Sequence, residues 1–191
     1  MSDPAAGGHR HGEHGTEPRL PSFRRSEAGV SVDLAAKVLV CSDGVAEGSR
    51  VDRAGPRIVE RLGEAGFAVL DHRVTPDGVD AVAAALREMV AGFSGLVVTT
   101  GGTGFGPRDL TPEGTRLVVD REAPGLAEAM RRASDRPGQP FGMLGRGVCG
   151  TVGRALVCNL PGSSSGALEC IEVILPALPH ALDLLGGGRP H

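Results

Sequence analysis

Val98-Thr99-Thr100-Gly101-Gly102-Thr103-Gly104-Phe105-Gly106-Pro107-Arg108-Asp109-Leu110-Thr111-Pro112-Glu113 reads as a strand end, a glycine loop and a helix start in immediate succession. The apolar run Leu96-Val97-Val98 suits a buried parallel strand, and Thr111-Pro112-Glu113 supplies an N-cap, a first-turn proline and a first-turn acid. Between them, four glycines within six residues let the backbone take positive φ and bring its N–H groups close to a ligand, as in an anion-holding nest. Two familiar phosphate loops do not match. Gly106 is followed by Pro107-Arg108 rather than Lys-Ser/Thr, and the glycines do not fall as G-x-G-x-x-G. A tight turn alone would account for the glycines. It would not require Arg108 and Asp109, which place a phosphate-pairing guanidinium and a candidate Mg²⁺ ligand on the same loop.

Upstream, Lys37-Val38-Leu39-Val40-Cys41 predicts a short strand ended by the turn residues Ser42-Asp43-Gly44. A polar loop with Asp52 and Gly55 follows, then a helical face of Ile58, Val59, Leu62 and Ala65, with Gly66 as its C-cap. Phe67-Ala68-Val69-Leu70 resumes as a strand. Thr75-Pro76-Asp77-Gly78 turns into a helix whose apolar face is Val79, Val82, Ala83, Leu86, Met89 and Val90. Three strands alternating with helices predict right-handed crossovers and a mainly parallel sheet covered on both faces. Ligands of such sheets sit beyond the strands' carboxyl ends, where Ser42, Asp43, Gly44, Asp77 and residues 101–109 fall.

Downstream, a short helix from Pro112 and a second over residues 125–134 are separated by Pro124. Residues 148–152 and 155–160 predict a hairpin turning at Gly153-Arg154, so at least one antiparallel strand joins the sheet. Leu160-Pro161-Gly162-Ser163-Ser164-Ser165-Gly166 is again strand into loop into helix, and serves either as a second anion cradle or as an N-cap serine cluster. The last helix carries Leu168, Ile171, Leu175, Leu178, Leu182 and Leu185, bent by Pro176 and Pro179.

With 191 residues, 40% hydrophobic and 23% charged, the chain is long enough for one sizeable core, expected over residues 34–188. Residues 1–33 are rich in Gly, Pro, His, Ser and Arg without apolar periodicity and read as a disordered extension. Its His9-Arg10-His11-Gly12-Glu13-His14 run has metal-binding side chains but no defined geometry. A net charge of −3, no Trp or Tyr and five Phe give no footprint for nucleic acid. Among 20 basic residues only Lys37 is lysine, so side-chain contacts to phosphate would come from arginine. Cys41, Cys149, Cys158 and Cys170 lie in apolar segments without C-x-x-C spacing and read as buried thiols of a reducing cytoplasm. No stretch is long enough for a bilayer span and no secretory leader is evident.

Ser42-Asp43-Gly44, Asp52, Pro76-Asp77, the TTGGTG run from Thr99, Arg108-Asp109-Leu110-Thr111-Pro112-Glu113 and Leu160-Pro161-Gly162-Ser163 together closely resemble the MoaB/Mog family of molybdenum cofactor biosynthesis proteins. The resemblance spans about residues 36–185, and its RD-x-TPE continuation is highly specific. It implies a three-layer α/β/α sandwich that binds molybdopterin and, in active members, joins it to AMP using ATP and Mg²⁺. It also implies a homo-oligomer, trimer or hexamer; other proteins of the pathway are candidate partners. Carried over by position, the catalytic acids and Mg²⁺ ligands would be Asp77 and Asp109. Thr100, Gly101, Gly102, Thr103 and Gly104 would bind phosphate or pterin, and Ser42, Asp43, Gly44, Asp52, Pro161, Gly162, Ser163 and Ser164 would complete the pocket. Arg108 would offset leaving-group charge, or form a salt bridge or subunit contact. Leu144-Gly145-Arg146 departs from the commoner Leu-Ser-Arg, and Ser164 and Gly166 replace a commoner proline and alanine. Two other readings use the same residues: a molybdopterin carrier without transferase activity, and an oligomeric scaffold recruiting partners through its tail.

Overall fold

A computed structural model describes residues 34–188. The expected extension, with its histidine run, lies outside the described residues. Six strands form one sheet: β1 (Ala35–Cys41), β2 (Ala68–Thr75), β3 (Gly95–Thr100), β4 (Arg121–Glu122), β5 (Cys149–Val152) and β6 (Ala155–Leu160). Their order is β2-β1-β3-β6-β5-β4, with β1, β2, β3 and β6 parallel and β5 antiparallel to both its neighbours. The helices are α1 (Asp43–Ala46), α2 (Gly55–Glu64), α3 (Val79–Val90), α4 (Thr111–Arg116), α5 (Pro124–Ala133), α6 (Ser164–Ile174) and α7 (Leu178–Leu185).

The period of two along each strand divides the core. On β3, Leu96 and Val98 pack with Ile58 and Leu62 of α2, Met130 of α5, Ile171 of α6 and Leu178 of α7, while Val97 packs on the other side with Val82, Leu86 and Met89 of α3. Every β3 residue is buried, as a continuous apolar run between two helical layers demands. The expected three-layer sandwich is therefore the observed one. Val40 pairs with Thr100 and Thr100 with Leu160, while Cys41 pairs with Thr75, so the carboxyl ends of four parallel strands stop level at one edge.

Four details differ from the sequence reading. β2 runs on to Thr75 rather than ending at Leu70, because it is the edge strand and its Asp71, His72 and Arg73 meet solvent and mask the apolar signal. Ser42-Asp43-Gly44 is no simple turn: Ser42 caps the single-turn helix α1, its Oγ accepting from the Val45 N–H at 3.3 Å. The last helix is broken into α6 and α7 by a 3₁₀ turn at Leu175–Ala177, where Pro176 has no N–H to continue the ladder. β4 is only two exposed residues, too short to carry a periodic pattern. Among the described residues no helix is long and apolar enough to cross a membrane.

Candidate active site

The glycine loop leaves β3 through two left-handed residues, Gly101 (φ +101°) and Gly102 (φ +60°). A Cβ on Gly101 would lie 2.2 Å from the Cys41 carbonyl oxygen, and one on Gly102 2.3 Å from Thr111 Oγ1, so both positions exclude a side chain twice over. The expectation of positive φ does not extend to Gly104 and Gly106. Those two instead make room for Asp109, whose Oδ2 would stand 2.9 and 2.8 Å from their added Cβ atoms. Asp109 Oδ2 accepts the Gly106 N–H at 2.8 Å, so the loop curls around its own carboxylate. Thr111 is the first residue of α4 rather than its N-cap, which is Leu110.

Arg146, to which the sequence reading gave no role, holds this loop shut. Its Nε donates to the Gly104 carbonyl at 2.7 Å, its Nη atoms donate to the Asp109 carbonyl and the Glu113 carboxylate, and its backbone N–H donates to Thr103 O at 3.1 Å. Burial, the largest single influence, pushes the Glu113 carboxyl up, but the hydrogen bond and charge of Arg146, a backbone hydrogen bond and the charge of Arg116 together outweigh it and leave the group below the usual range. Spacing from the loop gave no signal for this contact, because 42 residues separate Arg146 from Gly104.

Asp77, in the loop after β2, and Asp43, at the start of α1, are tied to each other and to the glycine loop. Arg108 grips the Asp43 carboxylate with two bonds of 3.0 Å and donates to the Asp77 carbonyl at 2.6 Å. The hydrogen bond from Arg108 draws the Asp43 carboxyl below its ordinary value. Of the alternatives for Arg108, the geometry shows the salt bridge.

Between these elements lies a cavity of about 850 Å³. Ser42, Asp52, Asp77, Thr100, Gly101, Gly102, Asp109, Gly162, Ser163 and Ser164 line it, while Asp43, Gly44, Thr103, Gly104, Arg108 and Pro161 do not. Asp52 is committed: Oδ1 accepts the N–H groups of Ala54 and Gly55 at 3.1 and 2.8 Å, and Oδ2 meets His72 Nε2 at 3.0 Å. His72 therefore steadies the cavity wall. Ser163 Oγ caps α6 by accepting the Gly166 N–H at 3.3 Å, the N-cap of the two readings, and the residue also lines the cavity.

Asp77 Oδ2 accepts the Asp43 N–H at 2.8 Å, and its Oδ1 is buried without a partner, 3.0 Å from where a Gly102 Cβ would stand. Among the described residues no three His, Cys, Asp or Glu side chains form a ready-made metal cage. Asp77 and Asp109 along one cavity, each with one oxygen held by a backbone N–H, instead suit a hard cation that brings its own oxygen ligands, as Mg²⁺ with phosphate does. Beneath the loop, burial pushes the Cys41 thiol up to about 12, so it is an uncharged filler; all four cysteines are free and buried, as expected.

A second cavity of about 320 Å³ shares Ser163 with the first and is lined by Thr103, Pro161, Arg131 and Gly145 among others. The hydroxyl missing at Gly145 would stand at this wall. Between the cavities and the core, Asn159 accepts the Val148 N–H at 3.2 Å and donates to Thr99 Oγ1 at 3.0 Å and Thr115 Oγ1 at 2.9 Å, joining β6, β3 and α4.

Sheet order, layers and a glycine-walled cavity at the carboxyl ends define an α/β domain of the ligand-at-the-strand-ends type. The chain belongs to the family described as "Probable molybdopterin binding domain", which matches residues 37–180. It is 37% identical over 153 residues to the molybdopterin adenylyltransferase of Helicobacter pylori strain J99, covering 78% of this chain and 86% of that one. It is 38% identical to the Drosophila melanogaster molybdenum cofactor synthesis protein cinnamon, of which it spans 25%, and 36% identical to a bifunctional molybdenum cofactor biosynthesis protein of Chlorobaculum tepidum, of which it spans 48%. Among solved structures, the Mycobacterium ulcerans Mog protein superposes with a TM-score of 0.75 at 41% identity, covering 82% of this chain and 99% of that one. The Thermus thermophilus MoaB gives 0.74 at 43% identity, with 82% and 98% covered.

Proposed function

We propose that this chain acts in molybdenum cofactor biosynthesis by transferring AMP from ATP to the terminal phosphate of molybdopterin, with release of pyrophosphate. The observation that carries the reading is the shared cavity: Asp77 and Asp109, from separate crossover loops, line the same 850 Å³ space as the left-handed glycine pair. A relative named molybdopterin adenylyltransferase, covered over 86% of its length, supports it.

In the step proposed, an oxygen of the molybdopterin phosphate forms a bond to the α-phosphorus of ATP. The bond from that phosphorus to the bridging oxygen breaks, and pyrophosphate departs with the electron pair. A phosphate monoester is largely ionised at neutral pH, so no base need be tuned to remove a proton. The protein's contribution is alignment and charge neutralisation. Asp77 and Asp109 would hold Mg²⁺, which would neutralise phosphate charge. The backbone at Gly101 and Gly102 and the hydroxyls of Ser42, Ser163 and Ser164 would fix the phosphates, and the second cavity, which shares Ser163 with the first and is lined by Thr103, would take the pterin end.

Purified protein given Mg²⁺, ATP and molybdopterin should release pyrophosphate. Asp109→Ala should abolish release while circular dichroism and Tm stay close to wild type. Molybdopterin binding without any turnover by the wild type would overturn the transferase reading in favour of a carrier.

A further inference from the structure

Arg108, the cation expected to meet phosphate, is spent on Asp43 and does not line the cavity. The cationic side chains that do line it are Arg50 and Arg53, both from the segment between α1 and α2. Among the described residues neither guanidinium has an ion-pair or hydrogen-bond partner, although Asp52, Asp77 and Asp109 line the same cavity. An arginine beside acids but unpaired is available to an incoming anion.

The segment that presents them is built rather than loose. Arg50 donates its backbone N–H to Gly44 O at 2.8 Å, and Ser49 Oγ donates to the same oxygen at 3.1 Å. The aliphatic stem of Arg50 lies across Gly44, where an added Cβ would meet Arg50 Cδ at 2.7 Å and Cγ at 3.0 Å. Gly44 is not among the residues with positive φ, so its lack of a side chain serves this contact and not an unusual backbone. Ser164 Oγ donates to Arg53 O at 3.0 Å, fastening the far end of the segment to the start of α6, and Asp52 Oδ1 accepts the N–H groups of Ala54 and Gly55 where α2 begins.

We propose that Arg50 and Arg53 form a polyphosphate-binding arm, holding the β- and γ-phosphates of the nucleotide and then the departing pyrophosphate, in the cavity that Asp77 and Asp109 also line. This deepens the adenylyl-transfer reading and rests on it for the identity of the nucleotide, though not for binding of pyrophosphate itself. Two acids along a cavity that takes a polyphosphate leave anionic charge to be offset, and unpaired guanidiniums supply that offset in bidentate geometry.

The test is calorimetric titration of the full-length protein, in Mg²⁺, with inorganic pyrophosphate and separately with AMP. Wild type should bind pyrophosphate; Arg50→Ala and Arg53→Ala should each weaken that binding by about tenfold or more, the loss expected of a charged hydrogen bond, while AMP affinity stays unchanged and circular dichroism confirms the fold. Arg50→Lys should recover part of the affinity, because it keeps the charge and loses the fork. Unchanged pyrophosphate affinity in both alanine variants, an equal loss for AMP, or no pyrophosphate binding by wild type would overturn the proposal. Loss of pyrophosphate binding in the variants alongside a wild type that releases none from ATP and molybdopterin would sustain the arm and remove the transferase reading. Wild-type turnover with variant affinities unchanged would do the reverse.

Discussion

Asp43 and Asp77 bind each other's backbones in both directions: the Asp43 N–H donates to Asp77 Oδ2 at 2.8 Å, and the Asp77 N–H donates to Asp43 Oδ1 at 3.0 Å. The exchange locks the loop after β1 to the loop after β2 and fixes which Asp77 oxygen remains for a ligand. Asp43→Ala keeps the N–H that holds Asp77 Oδ2 but removes the acceptor of the Asp77 N–H and the anchor of Arg108, so the loop carrying Asp77 should shift, and misplacement on the ångström scale lowers rate by on the order of a hundredfold. Pyrophosphate-release assays on Asp43→Ala and Asp43→Asn check this, with the asparagine, which keeps an acceptor for the Asp77 N–H, the faster of the two. Equal rates in all three proteins would sink the idea.

Arg146→Ala should loosen the glycine loop and strand Glu113 half-buried without its partner. The expected loss is about 1–3 kcal/mol, seen as a Tm lowered by several degrees, with turnover reduced as well because Gly104 O and Asp109 O lose their donor. A double variant, Arg146→Ala with Glu113→Gln, should recover part of the stability and none of the turnover. Thermal melts and the release assay together separate the two effects.

Alanine substitutions at two loop glycines should fail differently. Gly101→Ala combines a left-handed φ of +101° with a clash at 2.2 Å on the Cys41 backbone, so about 2–4 kcal/mol of stability should go. Gly104→Ala has no such φ and presses only on the Asp109 carboxylate at 2.9 Å. Its Tm should stay near wild type while its turnover falls, and an inactive but equally unstable Gly104→Ala would contradict this account.

Asn159, 2% exposed, satisfies three polar groups at once. Asn159→Ala leaves the buried Val148 N–H without an acceptor and opens a small cavity, which should cost about 2–4 kcal/mol. Urea denaturation midpoints measure it; a change within error would mean that water replaces the amide.

The pH dependence follows from carboxyls held below their ordinary values. In Asp43 the hydrogen bond from Arg108 is the main cause; in Glu172 it is the hydrogen bond from Arg61; in Glu113 burial, the largest single influence, pulls upward and is outweighed by Arg146, a backbone hydrogen bond and Arg116 together. A depressed folded pKa means that the unfolded chain binds more protons in acid. The stabilisation is thus complete above the ordinary values of 3.8 for Asp and 4.5 for Glu, and is lost as pH falls through the lower folded values. Tm should be flat near neutrality and drop below about pH 4.5. Arg61→Ala should flatten part of that drop.

Much of the fold was written locally. The run Leu96-Val97-Val98, the helical face of α3 and the Gly153-Arg154 hairpin all declare themselves by period or turn chemistry, since strand and helix repeats depend on neighbours within a few residues. Legibility failed where the environment contradicts the residue types. At the sheet edge, polar Asp71, His72 and Arg73 continue β2, and at Pro176 one missing N–H divides a helix whose leucine spacing continues through it.

The candidate site divides in the same way. The amino-acid order alone determined which loops leave the strands' carboxyl ends, and so that Asp77, Asp109 and the glycines share an edge, because alternating strands and helices admit little else. Only the tertiary structure decided how the charges there are spent. Arg108 closes on Asp43, Arg146 clamps a loop 42 residues away, His72 steadies Asp52, and Arg50 and Arg53 remain open to the cavity. Partnership between charges falls off over a few ångströms and is indifferent to separation along the chain, so it becomes legible only once the backbone has brought the segments together.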